Sequence, residues 1–159
     1  MTESARILVI DDDESVRRTV SMTLKHAGYL VDTAENGKQA IEKSAANFYN
    51  LALIDIRLPD MEGTELLTAL RETTPRMIKI ILTGFPALEN AVKAINKGVD
   101  GYLIKPVNTD ELLRFIKEFL EKQKHEREFG QEKLAEFVET RFKELQTEEL
   151  DKAKAIKKE

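Results

Sequence analysis

Cysteine is absent from this chain of 159 residues, which rules out disulfides, thiolate metal sites and cysteine nucleophiles. Long apolar runs are missing as well. None approaches the roughly 20 residues needed to cross a bilayer, so no membrane partner is expected. The N-terminus reads Met1-Thr2-Glu3-Ser4, with neither a basic stretch nor an apolar segment, and shows no signal-peptide pattern. There is no basic excess: the formal net charge is −4, which gives no electrostatic reason to expect nucleic acid or an anionic membrane as a partner. The cytoplasm is the default compartment. No internal repeat is evident. Against these absences stand 42% hydrophobic residues, enough for a core, and 34% charged residues, as expected of a soluble protein. The length fits one domain of about 100–150 residues and a remainder.

Strand and helix patterns alternate along the first part. An apolar strand at 6–10 precedes a helix whose face is marked by Val16, Val20, Leu24 and Ala27, with Gly28 as a stop. Tyr29–Thr33 reads as a short strand and Gly37–Ala46 as a helix. Leu51–Ile54 is a continuous apolar run, as expected of a central strand covered on both faces. Leu66, Leu67 and Leu70 face the core from the next helix, which ends before Pro75. Ile78–Leu82 is the fourth strand, Leu88–Lys97 a helix closed by Gly98, and Tyr102–Ile104 the fifth strand. Asn108, with Glu111 three residues on, fits the start of a helix that buries Leu112, Leu113, Phe115, Ile116, Phe119 and Leu120. Five such units predict an α/β fold: a flavodoxin-like, doubly wound, five-stranded parallel sheet in the order 2-1-3-4-5, with a helical C-terminal extension.

Four strands end in polar residues. Ile7–Ile10 runs into Asp11-Asp12-Asp13, Leu51–Ile54 into Asp55, Ile78–Leu82 into Thr83-Gly84, and Tyr102–Ile104 into Lys105-Pro106. In an open parallel sheet, residues past the strand carboxyl ends meet in one crevice. Asp11, Asp12, Asp55, Thr83 and Lys105 would then form a single site. Carboxylates so close repel one another unless a cation compensates. Hard oxygen ligands favour Mg²⁺, which binds through one or two carboxylates and completes its shell with water and phosphoryl oxygens. Each residue also has a plainer reading. Asp11–Asp13 would serve to cap the helix from Ser15, Thr83 as a turn hydroxyl, and Lys105 as a solvated loop lysine. Gly84 leaves room for a ligand at the backbone, and Pro106 pushes Lys105 toward extended geometry.

The order and context of these residues resemble the receiver domain of two-component response regulators. The resemblance covers residues 4–122 and is carried by Ile7–Asp12 (ILVIDD), Asp55–Gly63 (DIRLPDMEG), Ile81–Gly84 (ILTG) and Gly98–Pro106 (GVDGYLIKP). It implies a protein that is no enzyme beyond Mg²⁺-dependent self-phosphorylation and slow self-dephosphorylation. Asp55 would accept a phosphoryl group from a sensor histidine kinase or phosphotransfer protein. Asp11, Asp12 and Asp55 would hold Mg²⁺ with the backbone carbonyl of Arg57. Thr83 would bond the phosphoryl oxygen, Lys105 would pair with it, and Tyr102 would change rotamer with Thr83. A half-buried strand tyrosine is the competing account of Tyr102. Arg57 and Phe85, two residues after the acceptor and the switch threonine, would control the access of water. The surface change would involve residues 88–97, 102–104 and the helix from 109.

A receiver-like module that binds partners without phosphorylation is a further reading, against which the complete set of site residues argues, and two other classes stay open at this point. Asp11-x-Asp13 after a strand is similar to the nucleophile motif of haloacid-dehalogenase-type phosphatases. Glu14-Ser15-Val16 follows it instead of their threonine or valine and glycine, however, and Asp55 would be unexplained. A transcriptional regulator cut short of its output domain is the other. His26 and His125 read as surface histidines. From residue 123 the chain reads as a charged, amphipathic extension to 159. Phe129-Gly130 interrupts it, Thr147-Glu148-Glu149 looks like a new helix start, and Leu134, Phe137, Val138, Phe142 and Leu145 recur on one face. That stripe calls for a cover: a homodimer partner, or its own receiver.

Overall fold

The computed structural model describes residues 4–84 and 87–157, with side chains as far as Ala155. The elements in chain order are β1 (Arg6–Ile10), α1 (Glu14–His26), β2 (Leu30–Ala34), α2 (Gly37–Ala46), β3 (Leu51–Ile54), α3 (Gly63–Ala69), β4 (Ile78–Thr83), α4 (Leu88–Asn96), β5 (Gly101–Ile104) and α5 (Thr109–Lys157). All strands are parallel, in the order β2-β1-β3-β4-β5. The predicted α/β fold with a helical C-terminal segment is the one observed. Contacts along the chain separate two compact units, Met1–Gln123 and Lys124–Glu159.

In the first unit the continuous apolar runs become the central strands. β1, β3 and β4 are buried almost throughout, whereas the edge strands β2 and β5 are only partly covered, as sheet position demands. Alternation of side chains along each strand divides the core in two. Leu8, Ile10, Ala52, Ile54 and Ile81 meet Ala40, Leu66, Leu67 and Ala94 of α2, α3 and α4 on one face. Ile7, Val9, Leu51, Leu53 and Ile80 meet Val20 and Leu24 of α1 and Leu112 and Ile116 of α5 on the other. Each valine, leucine or isoleucine among them is worth about 1.5–3 kcal/mol of burial before ordering costs. One polar exception sits in β4. Lys79 is buried, and its ammonium donates to the Leu67 carbonyl at the end of α3, a favourable place for a cation; burial lowers its pKa.

Local signals set most boundaries. Gly28 and Gly98 follow α1 and α4 with φ of 100° and 84°, the left-handed conformation that ends helices and that glycine adopts freely. Asn108 Oδ1 accepts from the Asp110 and Glu111 amides and opens α5. Several boundaries differ from the sequence reading by one residue: α1 starts at Glu14, β2 ends at Ala34, β4 extends to Thr83, α4 ends at Asn96 and β5 starts at Gly101. The second strand starts at Leu30, because the Tyr29 amide is used in closing α1 on the Leu24 carbonyl. α5 runs unbroken past Gly130 and Thr147. A glycine costs a helix only about 1 kcal/mol, and the Thr147 hydroxyl donates to the Lys143 carbonyl one turn back rather than capping a new helix.

Gln123 closes the first unit from below. Its Nε2 donates to the carbonyls of Asn50 (3.0 Å) and Arg76 (2.8 Å), and its Oε1 accepts from Asn50 Nδ2 (3.2 Å). These are the groups that lead into β3 and β4, and buried backbone carbonyls need such partners. The second unit is one helical stretch. Leu134, Phe137, Val138, Phe142 and Leu145 are exposed there. Among the described residues no helix is long and apolar enough to cross a membrane. His26 and His125 are both exposed.

Candidate functional site

β1 and β3 are neighbours with Ile10 opposite Ile54, so the next residues on each, Asp11 and Asp55, emerge side by side. The Asp55 amide donates to the Ile10 carbonyl at 2.9 Å and fixes that level. On the other side Thr83 ends β4 opposite Ile104 of β5, and the Lys105 amide donates to the Thr83 carbonyl at 2.8 Å. The Lys105–Pro106 peptide bond is cis. Sheet order and register therefore gather all five residues at one edge.

Lys105 Nζ lies 2.6 Å from Asp11 Oδ2 and 3.5 Å from Asp55 Oδ2. Asp11, Asp12 and Asp55 each offer a carboxylate oxygen, the three within 4.8 Å of one another. Asp11 and Asp55 are buried, Asp12 is exposed, and Thr83 is fully buried. Asp55 Oδ1 is buried and has no hydrogen-bond partner among the described residues. Three carboxylates against one ammonium leave the cluster short of positive charge. An unsatisfied buried oxygen beside two further carboxylates is the donor set of a hard divalent cation such as Mg²⁺.

Electrostatics report the same shortage. Burial, and then the charge of Asp11, push the Asp55 carboxyl above the usual value of 3.8. Lys105, the Thr83 hydroxyl and the Arg57 amide act in the opposite direction without cancelling the effect. Burial pulls the Lys105 ammonium down, but the bond to Asp11 and the charges of Asp11 and Asp55 outweigh it and raise its pKa. The Asp55 shift has a consequence for stability. A carboxyl whose folded pKa is raised contributes stability below its unfolded value, and loses that contribution as pH rises through the folded value. Ionising Asp55 therefore costs more in the folded chain than in the unfolded one. Asp55→Asn is expected to raise stability at pH 7 by about 1–3 kcal/mol, as neutralising an ill-compensated buried charge does. The gain should shrink as pH falls toward about 4. Thermal melts of both proteins in EDTA across that range would test it, and a gain that grows toward acid would contradict it.

The capping account of the acidic cluster holds for one member. Asp13 is the N-cap of α1, accepting from the Ser15 and Val16 amides, and its own amide donates to Asp11 Oδ1 at 3.0 Å. Asp11 and Asp12 cap nothing. Tyr102 is half-buried against the α2–α4 side of the core, and its hydroxyl is buried with no hydrogen-bond partner among the described residues; burial raises its pKa. Arg57 is exposed and forms an isolated antiparallel bridge with Glu62. Phe85 lies outside the described residues.

Three supporting residues were not singled out from the sequence. Arg17, on the second turn of α1, donates from its guanidinium to the Asp11 carbonyl at 2.7 Å. Gly63 packs so closely under Asp55 that a Cβ there would fall 1.9 Å from the Asp55 carbonyl oxygen. Asp60 accepts from the Gly37 and Lys38 amides at the start of α2, both at 2.9 Å. Those two bonds hold its carboxyl below the usual range. A basic residue on the polar side of a helix leaving the site was a visible signal for Arg17. Asp60 and Gly63 fall within the Asp55–Gly63 segment that carries the resemblance, but nothing local marks the contacts they make.

Comparison with known proteins places this geometry among relatives. The model of the response regulator receiver domain matches residues 7–117. The regulatory protein AtoC of Escherichia coli is 34% identical over 128 residues, which are 80% of this chain and 28% of that protein. A CheY-like receiver domain protein from Methanospirillum hungatei has a solved structure that is 44% identical, with a TM-score of 0.75, covering 78% of this chain and 99% of that one. A response regulator from Burkholderia pseudomallei, solved with a phosphorylated aspartic acid, calcium and citrate, is 32% identical with a TM-score of 0.65, covering 69% of this chain and 65% of that one. The chain spans between about a quarter and a half of the length of the curated relatives it matches.

Proposed function

Because this chain belongs to the response regulator receiver domain family, we propose that it is a phosphoacceptor of two-component signalling in which Asp55 carries the phosphoryl group. The observation that carries the reading is the position of Asp55. It is buried at the end of the central strand β3, with Lys105 Nζ 3.5 Å from Oδ2 and Oδ1 without a hydrogen-bond partner among the described residues. Residues 4–122 are the receiver and residues from 123 the extension, with Gln123 at the junction. The donor is a sensor histidine kinase or a phosphotransfer protein. Phosphorylated aspartic acid in the Burkholderia protein supports the acceptor chemistry.

In the transfer an Asp55 carboxylate oxygen bonds to phosphorus as the phosphorus–nitrogen bond to the donor histidine breaks, and the imidazole leaves with the electron pair. Asp11, Asp12 and Asp55, with the Arg57 carbonyl, would hold Mg²⁺, which would supply positive charge for the transferring oxygens. Lys105 is poised to exchange Asp11 for a phosphoryl oxygen. Arg17 and the Asp13 amide keep Asp11 in place meanwhile. The product brings about −1.5 to −2 charges to the site, against which the Thr83 hydroxyl turns inward and Tyr102 follows. The side chains of Leu88, Val92, Ile95 and Ile104 are exposed on α4 and β5, and they form the surface on which that movement is read. Nothing favours Asp11 as a nucleophile, since its oxygens already engage Lys105 and the Asp13 amide. The extension, in the same reading, serves self-association.

Incubated with acetyl phosphate and Mg²⁺, the protein should gain the mass of one phosphoryl group, and excess EDTA should prevent the gain. Equal labelling in EDTA would refute the metal-assisted mechanism. After removal of the donor the label should decay slowly, as expected of a sequence with a bulky apolar residue two positions after the switch threonine and an arginine, rather than a carboxylate or amide, two positions after the acceptor. The double substitution Phe85→Ala with Arg57→Asn should shorten its lifetime.

A further inference from the structure

Beyond Gln123, α5 presents one side that carries no charge over three turns. At 100° per residue, Leu134, Val138, Phe142 and Leu145 fall within about 80° of one another and form the uncharged side, while Phe137 flanks it about 60° from Leu134, with Arg141 between the two. Their exposures are 63% for Leu134, 58% for Val138, 62% for Phe142, 44% for Leu145 and 68% for Phe137. Neighbouring charges are occupied within the helix: Arg141 pairs with Glu144 at 3.0 Å, and Lys143 with Glu139 at 3.3 Å. Gln131 bounds the stripe at one end, and Glu149 marks where its line meets charge at the other. The steps between the four seam residues are four, four and three. They follow an 11-residue repeat, close to the natural period of the helix, rather than a heptad. A heptad would have placed Arg141 in the seam instead of Phe142.

We propose that this seam is the surface on which a second copy of the chain packs, helix against helix. The proposal rests on the reading that the extension serves self-association, and it assigns the residues that do so. A partner selected by charge would find none in the seam. A two-fold interface, by contrast, needs only a patch that complements itself, and interdigitating leucine, valine and phenylalanine side chains meet that condition. The area is sufficient. At these exposures the five side chains can each give up roughly 100 Å², so a pair would bury about 1,000 Å² in total, the lower bound for a specific interface. An interface at that lower bound is expected to be a reversible one.

Sedimentation equilibrium of the full chain, at concentrations on the order of 10 to 500 micromolar, tests this directly. The unsubstituted protein should pass from monomer to dimer across that range. Val138→Glu and Phe142→Glu should each weaken association at least about tenfold. Helix content, followed by circular dichroism, should be retained, because glutamate is a good helix former. Phe129→Glu is the control. Phe129 is exposed and lies about 180° around the helix from Val138, so its substitution should leave association unchanged. An unsubstituted protein that stays monomeric throughout overturns both the seam and the self-association reading. A dimer that persists equally in Val138→Glu and Phe142→Glu overturns the seam alone. A dimer lost in Phe129→Glu but kept in Val138→Glu moves the contact to the opposite side and likewise overturns it.

Discussion

Asp55→Asn should leave the protein folded and unable to take up a phosphoryl group from acetyl phosphate. The amide that replaces the carboxylate is neutral, lacks the oxygen nucleophile, and cannot form an acyl phosphate. No neighbour is placed to substitute for it. Asp11 is committed to Lys105 at 2.6 Å and to the Asp13 amide, and Asp12 is exposed at the rim. Labelling should fall by about 100-fold or more, equivalent to a barrier increase of about 2.7 kcal/mol, as read by intact-protein mass. Asp11→Asn should slow labelling without abolishing it, because it disturbs Lys105 and the cation site but leaves the nucleophile. If Asp55→Asn labels as the unsubstituted protein does, the acceptor is elsewhere. If Asp11→Asn alone removes the label, the nucleophile belongs to the first strand and the phosphatase-like alternative returns.

Gly63→Ala is expected to be the most damaging small substitution near the site. The added Cβ would lie 1.9 Å from the Asp55 carbonyl oxygen, 2.8 Å from its carbonyl carbon and 2.9 Å from Ile56 Cα. These are all backbone atoms, so no flexible side chain can give way, and either α3 or the Asp55 peptide must shift. The Gly63 amide also donates to the Ile56 carbonyl, which ties the two segments together. Overpacking of this kind costs about 1–3 kcal/mol when side chains relax. Here about 3 kcal/mol or more is expected, with a drop of roughly 10 °C in Tm. Phosphorylation should slow too, since a displacement of about 1 Å at a reacting group can cost about 100-fold. Gly84→Ala is the matched comparison for stability: its Cβ would meet nothing within 4 Å, and its Tm should stay near that of the unsubstituted protein. Equal melting temperatures for the two variants would show that the contact under Asp55 is not as tight as described.

The two variants mark different kinds of legibility. Asp55 could be found from sequence because its position is a local event, a polar residue ending a continuous apolar strand. The same holds for Asp11, Thr83 and Lys105, and for the glycines that stop α1 and α4. Gly63 could not be found as a packing residue. Its constraint comes from a carbonyl eight positions earlier, reached only once the loop after β3 has turned back. The break expected at Phe129-Gly130 failed for an opposite reason. One residue of poor propensity is a small cost in a helix whose other bonds persist on both sides.

By itself, the sequence determined which stretches become strands and helices, which ends of the strands are polar, and that the chemistry available is that of carboxylates, a hydroxyl and an ammonium. Those are consequences of periodicity and composition, which act over a few residues. Only the tertiary structure decided the partnerships: Asp11 with Lys105, 94 positions apart; Arg17 with the Asp11 carbonyl; Asp60 with the start of α2; and Gln123 with the chain entering β3 and β4. Each depends on sheet order and register, and these are set by how two apolar faces bury together across the whole unit. A hydrogen bond between distant residues leaves no period in the chain, so it becomes visible only when the strands are laid side by side.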